Sequence, residues 1–390
     1  MWSSAGKALE NKMHEVAIIG AGPAGLICAT ELKKLGEDVI VFEKDKKIGE
    51  PVECAGLFNI DGLKRLGIPK GDYILNEVKG AKFISASGAF AEVKAKESKA
   101  FVTDRGEFDR FLAESYGVKV SLGEEVLGAK KSKRGFELKT NRKNAEAEKV
   151  VIATGYATNL HKCFGLCGPE KFISTSQYEI EGVKTDSNFV ELYVGSVAPG
   201  FFAWVIPVSE KTARVGLGIL DAKEGTHYYM EAFLKRLKKE RRFKVGNKVM
   251  HKSGGLIPLY DPTISLENNG AYLVGDAAGQ VKATTGGGVM IGGLVAKALA
   301  RAIHDSSDYE ASIEDLRKEL GNHLMIRKVL NRFGDEEYEH MIGFLNKPEI
   351  TRLIEERGDM DFAGPVMEGI VSNPLLMMQA LRLFGKSLMF

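Results

Sequence analysis

The feature that most constrains this chain is the run EVAIIGAGPAGLICATELKKLG, beginning at Glu15. A short apolar stretch, a glycine turn and a segment carrying Cys28, Leu32 and Leu35 at helical spacing read as strand, turn and helix. DVIVFEKD then reads as a second buried strand, completing a βαβ unit of about 30 residues with a parallel, right-handed crossover. Gly20, Gly22 and Gly25 fall at G-x-G-x-x-G spacing in the turn. Gly20 permits the tight bend, Gly22 lets the backbone approach a pyrophosphate, and Gly25 lets helix and strand pack closely. A phosphate there meets a helix N-terminus, whose unpaired N–H groups and dipole favour an anion. Glu43, at the end of the second strand, is placed to accept from ribose hydroxyls.

The 390 residues are enough for two or three domains with a sizeable core. Lys and Arg number 54 against 52 Asp and Glu, a net charge of +2 that fits neither a nucleic-acid polycation nor an acidic tail. Four cysteines make no disulfide framework, so the thiols are expected reduced and the protein cytoplasmic. No apolar stretch reaches the roughly 18 residues a membrane span requires. The opening segment 1–12 lacks a signal-peptide core and is expected to be a flexible tail.

Further along, TDRGEFDRFLAES reads as a helix start and KVVIATG as a buried strand ending in glycine. Aromatic and β-branched residues dominate from Ile173 to Ile219, as expected of an antiparallel sheet inserted between parts of the nucleotide unit. GAYLVGDAAG at 270–279 returns to the strand-then-glycine pattern. The expected fold is therefore α/β with an α+β insertion: a Rossmann-type nucleotide-binding domain, an antiparallel-sheet substrate domain and a C-terminal helical region. The nucleotide domain is assigned residues 13–79, 103–172 and 253–307, the substrate sheet 80–102 and 173–252, and the helical region 308–390.

GDAAG supplies a second strand-end carboxylate, Asp276, and TGGGV at 285–289 follows it. With these motifs the sequence resembles the large family of FAD enzymes that includes aromatic hydroxylases and geranylgeranyl reductases. In that family the Gly-Asp motif touches the ribityl chain and pyrophosphate. The resemblance implies non-covalent FAD held by Gly20, Gly22, Ala24, Gly25, Glu43, Asp276, Gly288 and Val289. DRGEFDRFL resembles the family's D-R-x-x-F-D-x-x-L segment and maps Arg105 onto a flavin-contacting arginine, with Val126 as the backbone contact for adenine. The helix that follows TGGGV would bring its positive dipole end to the flavin, where reduced flavin is negative near N1.

Two more segments resemble the isoprenoid reductases within this family. GEPVECAG at 49–56 is similar to their cysteine-bearing loop and sets Cys54, Ala55 and Leu57 beside the flavin. APGFFAWVIP at 198–207 is similar to P-x-x-Y-x-W-x-F-P, which lines a prenyl channel, and nominates Phe202, Trp204 and Pro207 for substrate binding. Phe202 stands in place of the usual tyrosine and Ile206 in place of phenylalanine, so any role here rests on apolar shape. The resemblance implies an oxidoreductase that saturates C=C bonds of geranylgeranyl chains in archaeal-type ether lipids. Hydride would come from reduced flavin, and a proton from Cys54 or water. No second G-x-G-x-x-G follows a strand, so the electron donor, a molecule or protein, is expected to bind transiently. Two alternatives stay open: a flavin monooxygenase or halogenase of the same fold, and a non-catalytic isoprenoid carrier that keeps FAD as a structural part.

Cys163, Cys167 and His161 lack the paired spacing of a structural zinc site, so no metal is expected. The run 235–252 carries nine Lys/Arg and one Glu. A solvated face is its simplest reading, and peripheral contact with an anionic membrane is its functional one.

Overall fold

The computed structural model describes residues 13–380; the expected tail at 1–12 lies outside them, as does the end of the C-terminal region beyond 380. The first strand, Met13–Ile19, pairs in parallel with Val39–Glu43 on one side and Asn144–Ile152 on the other. Val120–Leu122 and Ala271–Leu273 extend the parallel core at its two ends. A hairpin of Val126–Lys131 and Phe136–Thr140 and the short strand Glu267–Asn268 complete an eight-stranded sheet. Val16, Ala17, Ile18 and Ile19 are all buried, as the continuous apolar run requires of a strand covered on both faces. Helices Pro23–Lys34 and Val289–Asp305 pack together against this sheet. Val295, Leu299 and Ala302 face its core.

The second sheet has seven strands, in the order Phe243–Pro258, Phe172–Val183, Thr212–Ile219, Ala203–Pro207, Phe189–Tyr193, Gly80–Ile84 and Phe90–Lys94. Alternation divides its faces. Ala203, Val205, Val215 and Leu217 pack beneath Met230, Phe233 and Leu237 of the helix Thr226–Lys239. Trp204 and Ile206 turn the other way, joining Val190 and Leu192. A small third sheet, Leu57–Asn59, Ala100–Thr103 and Ile74–Val78, bridges the two.

The second sheet is antiparallel, as expected, apart from one pair: Phe189–Tyr193 and Gly80–Ile84 run in parallel, because these strands come from distant parts of the chain with no hairpin between them. Two expected boundaries need correction. The boundary drawn between 252 and 253 falls inside the strand Phe243–Pro258, which pairs with Phe172–Val183 across that point. Its Ser-Gly-Gly stretch resembles a break in sequence, but the ladder hydrogen bonds carry it through. The segment 80–102 also divides, since Ala100–Thr103 sits in the bridging sheet.

After Asp305 the described chain is helical, with Glu314–Leu330, Asp335–Leu345, Pro348–Arg357 and Gly364–Val371 as its main elements. No helix among the described residues is long and apolar enough to cross a membrane.

Candidate active site

The three glycines of the first turn do different things. Gly20 has φ +107°, and a Cβ there would lie 2.4 Å from the Ala153 carbonyl oxygen. A Cβ on Gly25 would lie 2.1 Å from the Gly20 oxygen, so this glycine sets the helix against the turn. Gly22 faces open space and caps the helix without a side-chain bond, leaving first-turn N–H groups directed outward. Glu43 accepts from the Ala21 N–H at 2.7 Å and the Asp45 N–H at 2.9 Å, which fixes its carboxylate beside the turn.

The second glycine motif converges on the first. Gly275 has φ +68°, and a Cβ on it would stand 2.7 Å from Cβ of Ala24. A Cβ on Gly288 would stand 2.7 Å from Asp276 Oδ1, so the TGGGV loop packs on that carboxylate. Gly288 caps the helix Val289–Asp305 without a side chain, giving the site a second open helix N-terminus. Burial pushes the Asp276 carboxyl up to about 6, against the opposing charge of Arg105.

Arg105 opens the helix Arg105–Ser115, and its Nη2 donates to both carboxylate oxygens of Asp109 at 2.9 Å. Burial opposes the charge, but Asp109 and then Cys54 hold the guanidinium above its usual proton affinity. Its Nε–H is buried without a partner. An orphaned donor, an open glycine turn and two uncapped helix starts fit an elongated anionic group with further acceptors, which is what a flavin nucleotide presents.

These groups line one cavity of about 1390 Å³. That exceeds the roughly 300–1,000 Å³ of an ordinary ligand site and leaves room for a second, long molecule. Of the residues expected in the site, Gly20, Gly22, Ala24, Glu43, Cys54, Ala55, Leu57, Arg105, Val126, Asp276, Gly288, Val289, Phe202 and Trp204 lie on its wall. Gly25 and Pro207 stand behind it. Gly25 acts through packing, and Pro207 is a buried strand residue whose carbonyl accepts from Asn76 Nδ2.

Cys54 is half-buried, and its Sγ accepts from the Gly56 N–H at 3.4 Å. Arg214 pins the loop around it, donating from Nη1 to the carbonyls of Ala55 and Thr103 while its Nε meets Glu179. Beyond Cys54 the wall becomes apolar. Phe201 and Phe202 stack at 4.1 Å, and Phe202 meets Trp204 edge-on at 5.8 Å. Trp204 Nε1 donates to buried Gln177, which fixes the indole. The far wall comes from the C-terminal helices through Met341, Phe344, Leu353, Val366, Met367 and Ile370.

Sequence reasoning missed Gln177 and Arg214, since a lone polar residue in a β-branched strand carries no motif. It also missed Asn59, Lys282, His323 and Asp361. His323 Nδ1 lies 2.6 Å from Thr284 Oγ1 and Nε2 lies 3.2 Å from the Asp361 carbonyl, partners that assign the proton to Nε2. Burial and then Lys282 hold this histidine below its ordinary range. Elsewhere, all four cysteines are free. Cys163 and Cys167 are exposed, whereas His161 is buried and pushed down to about 4 by desolvation.

Together the parallel sheet, the two converging glycine motifs and the adjoining cavity define a flavin-dependent oxidoreductase. Comparison with known proteins narrows the class. Residues 172–257 match the geranylgeranyl reductase catalytic domain, and residues 14–190 match the pyridine nucleotide-disulphide oxidoreductase family. The chain is 31% identical over 354 residues to a digeranylgeranylglycerophospholipid reductase of Methanocaldococcus jannaschii, covering 84% of this chain and 90% of that protein. It is 30% identical over 355 residues to a protein of the same name from Methanococcus vannielii, covering 85% and 90%. In structure it is similar to a geranylgeranyl bacteriochlorophyll reductase-like protein of Thermoplasma acidophilum, with TM-score 0.80, 22% identity and coverage of 95% and 99%. A flavin-dependent brominase shares the fold at TM-score 0.67 and 20% identity, covering 92% of this chain and 99% of that one. The chain belongs to the geranylgeranyl reductase family.

Proposed function

We propose that this protein is an FAD-dependent reductase that saturates C=C bonds of geranylgeranyl chains in archaeal-type ether phospholipids. One observation carries the reading: a single cavity runs from the phosphate-binding turn at Gly22, past Cys54, into an apolar gallery walled by Trp204 and the C-terminal helices. A cofactor site that opens onto apolar surface suits a substrate without polar groups at its reacting atoms.

In this reading FAD is held non-covalently. Gly20, Gly22, Ala24 and the helix behind them receive the pyrophosphate, Glu43 the ribose, Val126 the adenine, and Arg105 and Asp276 the ribityl side. Gly288 and Val289 present a helix N-terminus to the ring system. The bound flavin supplies hydride. Phe202 and Trp204 orient the prenyl chain by shape and exclude water, because a polyene offers no group for hydrogen bonding. Cys54, or water held beside it, delivers the proton to the neighbouring carbon, and the Arg105 cation stabilises the charge left on sulfur. The electron donor binds transiently. The basic run 235–252 holds the protein against anionic lipid headgroups, each base near such a surface contributing about 1 kcal/mol.

The test is anaerobic turnover. The reconstituted protein, chemically reduced, is given a digeranylgeranyl glycerophospholipid, and mass gains of about 2 Da per double bond are expected as the flavin reoxidises. A flavin that is reduced but never reoxidised by the lipid would identify a carrier instead. Cys54→Ala is expected to slow reoxidation about 10²-fold or more if the thiol is the proton donor. An unchanged rate assigns the proton to water.

A further inference from the structure

A buried ionic junction between Lys282 and Asp361 lies outside the groups that the proposed chemistry uses. Lys282 and Asp361 are 5% and 3% exposed, and Lys282 Nζ donates to Asp361 Oδ1 at 2.5 Å and to the Met360 carbonyl at 2.8 Å. The other carboxylate oxygen of Asp361 accepts from Asn59 Nδ2 at 2.8 Å, and its backbone carbonyl receives His323 Nε2. Asp359 accepts from Asn59 Nδ2 and Arg65, while Glu319 accepts from the N–H groups of Ala363 and Gly364. A segment of six residues, 359–364, is thereby tied to Asn59, Arg65 and Lys282 of the nucleotide-binding half and to the helix Glu314–Leu330. It joins Pro348–Arg357 to Gly364–Val371, the helices that wall the apolar gallery.

Lys282 also touches the other side of the junction. A Cβ on Gly287 would lie 2.9 Å from Lys282 Cε and 3.0 Å from its Nζ, and the Gly286 N–H donates to the Lys282 carbonyl at 2.8 Å. The lysine head therefore packs on the glycine loop that leads to Gly288. Lys282, Gly287, Asp359 and Met360 all reach the cavity wall. Burying an ion pair recovers little stability over apolar packing, whereas removing one partner strands a charge in a poorly solvated place. A pair set between the cofactor loop and the substrate wall therefore matters for where it puts its charges.

We infer that Lys282 and Asp361 are positioning residues that form an electrostatic latch: Asp361 docks the C-terminal wall, and Lys282, its charge balanced by Asp361, tunes the flavin from beneath the Gly286–Gly288 loop. The inference rests on the reading of this cavity as a flavin site. Two consequences of opposite electrostatic sign follow. Without Asp361 the lysine is an uncompensated cation near the ring, which favours the negative reduced flavin. Without Lys282 the stranded carboxylate disfavours it. Either loss undocks segment 359–364.

The experiment uses the full chain reconstituted with FAD, unsubstituted and as Asp361→Asn, Lys282→Met and Lys282→Arg. The midpoint potential of the bound flavin is measured by spectroelectrochemistry, and amide exchange is followed over residues 359–371. Asp361→Asn is expected to shift the reduction equilibrium toward reduced flavin by tenfold or more, about 30 mV for a two-electron couple. Lys282→Met is expected to shift it the other way, both variants losing amide protection at 359–364 by tenfold or more. Lys282→Arg keeps the charge and restores the potential. Potentials that stay fixed, or move together in both variants, overturn the inference even if protection is lost, since that leaves only structural packing. Should Asp361→Asn fail to fold, the Lys282→Met and Lys282→Arg pair decides by the same criterion. If the unsubstituted chain takes up no flavin, the functional reading falls and this inference with it.

Discussion

A methyl group has opposite consequences at Gly22 and Gly25, two residues of one motif. Gly22 has φ −75° and ψ 177°, extended backbone open to any residue, and its missing Cβ faces free space. Gly25 leaves no room beside the Gly20 oxygen. Gly25→Ala is expected to lower stability by about 1–3 kcal/mol, the usual cost of overpacking. Gly22→Ala should leave stability within about 0.5 kcal/mol, as an open position allows, yet weaken flavin affinity. Thermal unfolding and flavin titration of the two variants separate these outcomes. Asp276 offers a pH test at the same scale. Burial raises its carboxyl from 3.8 to about 6, so the folded chain binds this proton more tightly than the unfolded one. Its contribution to stability is complete below about pH 4 and is lost as pH rises through 6, on the order of 3 kcal/mol by pH 7. Flavin-free Asp276→Asn should therefore be more stable than the parent in denaturant at pH 7 and no more stable at pH 4. A difference that ignores pH would contradict the assignment. The glycine turn was legible because the close approach of strand, turn and helix at Gly20 and Gly25 demands glycine at fixed spacing. Gln177 and Lys282 were not, since a side chain that acts on another side chain is set by tertiary contact alone.

At the scale of elements, the loop between Val39–Glu43 and Leu57–Asn59 is held in place from the second sheet. Arg214, a buried strand residue, spans from Glu179 to the carbonyls of Ala55 and Thr103. A Cβ on Gly56 would lie 2.6 Å from Arg214 Nη1, so the arginine also explains why the loop turns on glycine, with φ +68°. Arg214→Met strands those carbonyls and the Glu179 charge. A loss of roughly 2–4 kcal/mol is expected from charged hydrogen bonds of this kind. Alkylation of Cys54, followed by peptide mass spectrometry, should speed up as the loop loosens; unchanged kinetics would show that the loop holds itself. The parallel strands were legible because burial on both faces makes them continuous apolar runs, and the helix Val289–Asp305 because it buries one face along its length, which imprints a period on the residues. Sheet membership was less so. Gly80–Ile84 and Ala100–Thr103 are equally strand-like, and only tertiary pairing sends them to different sheets.

Across the whole molecule, the C-terminal region shows why a correct helical reading can say little about function. Phe344, Ile350 and Leu376 form a small core with Leu353 and Ile370 packed on it, and Phe344, Leu353, Met367 and Ile370 also line the cavity. The apolar period of such helices is that of any packed bundle, and it does not record whether the opposing surface is protein or an elongated ligand. What distinguishes them is the sheet they stand against, whose Trp204 face is left uncovered by the helix Thr226–Lys239 on its other side. The length of chain accepted should then depend on residues more than 130 positions apart in sequence. Met367→Trp adds bulk on the wall that the C-terminal helices give the cavity. In the proposed reductase it should leave flavin affinity and the saturation of a short geranyl substrate unchanged within about twofold, while lowering turnover of a geranylgeranyl chain tenfold or more, as expected when a pocket must expel atoms it formerly buried. Mass spectra of products from the two chain lengths, run side by side, read this ratio. Equal losses on both substrates would mean that the C-terminal helices close the fold without measuring the lipid.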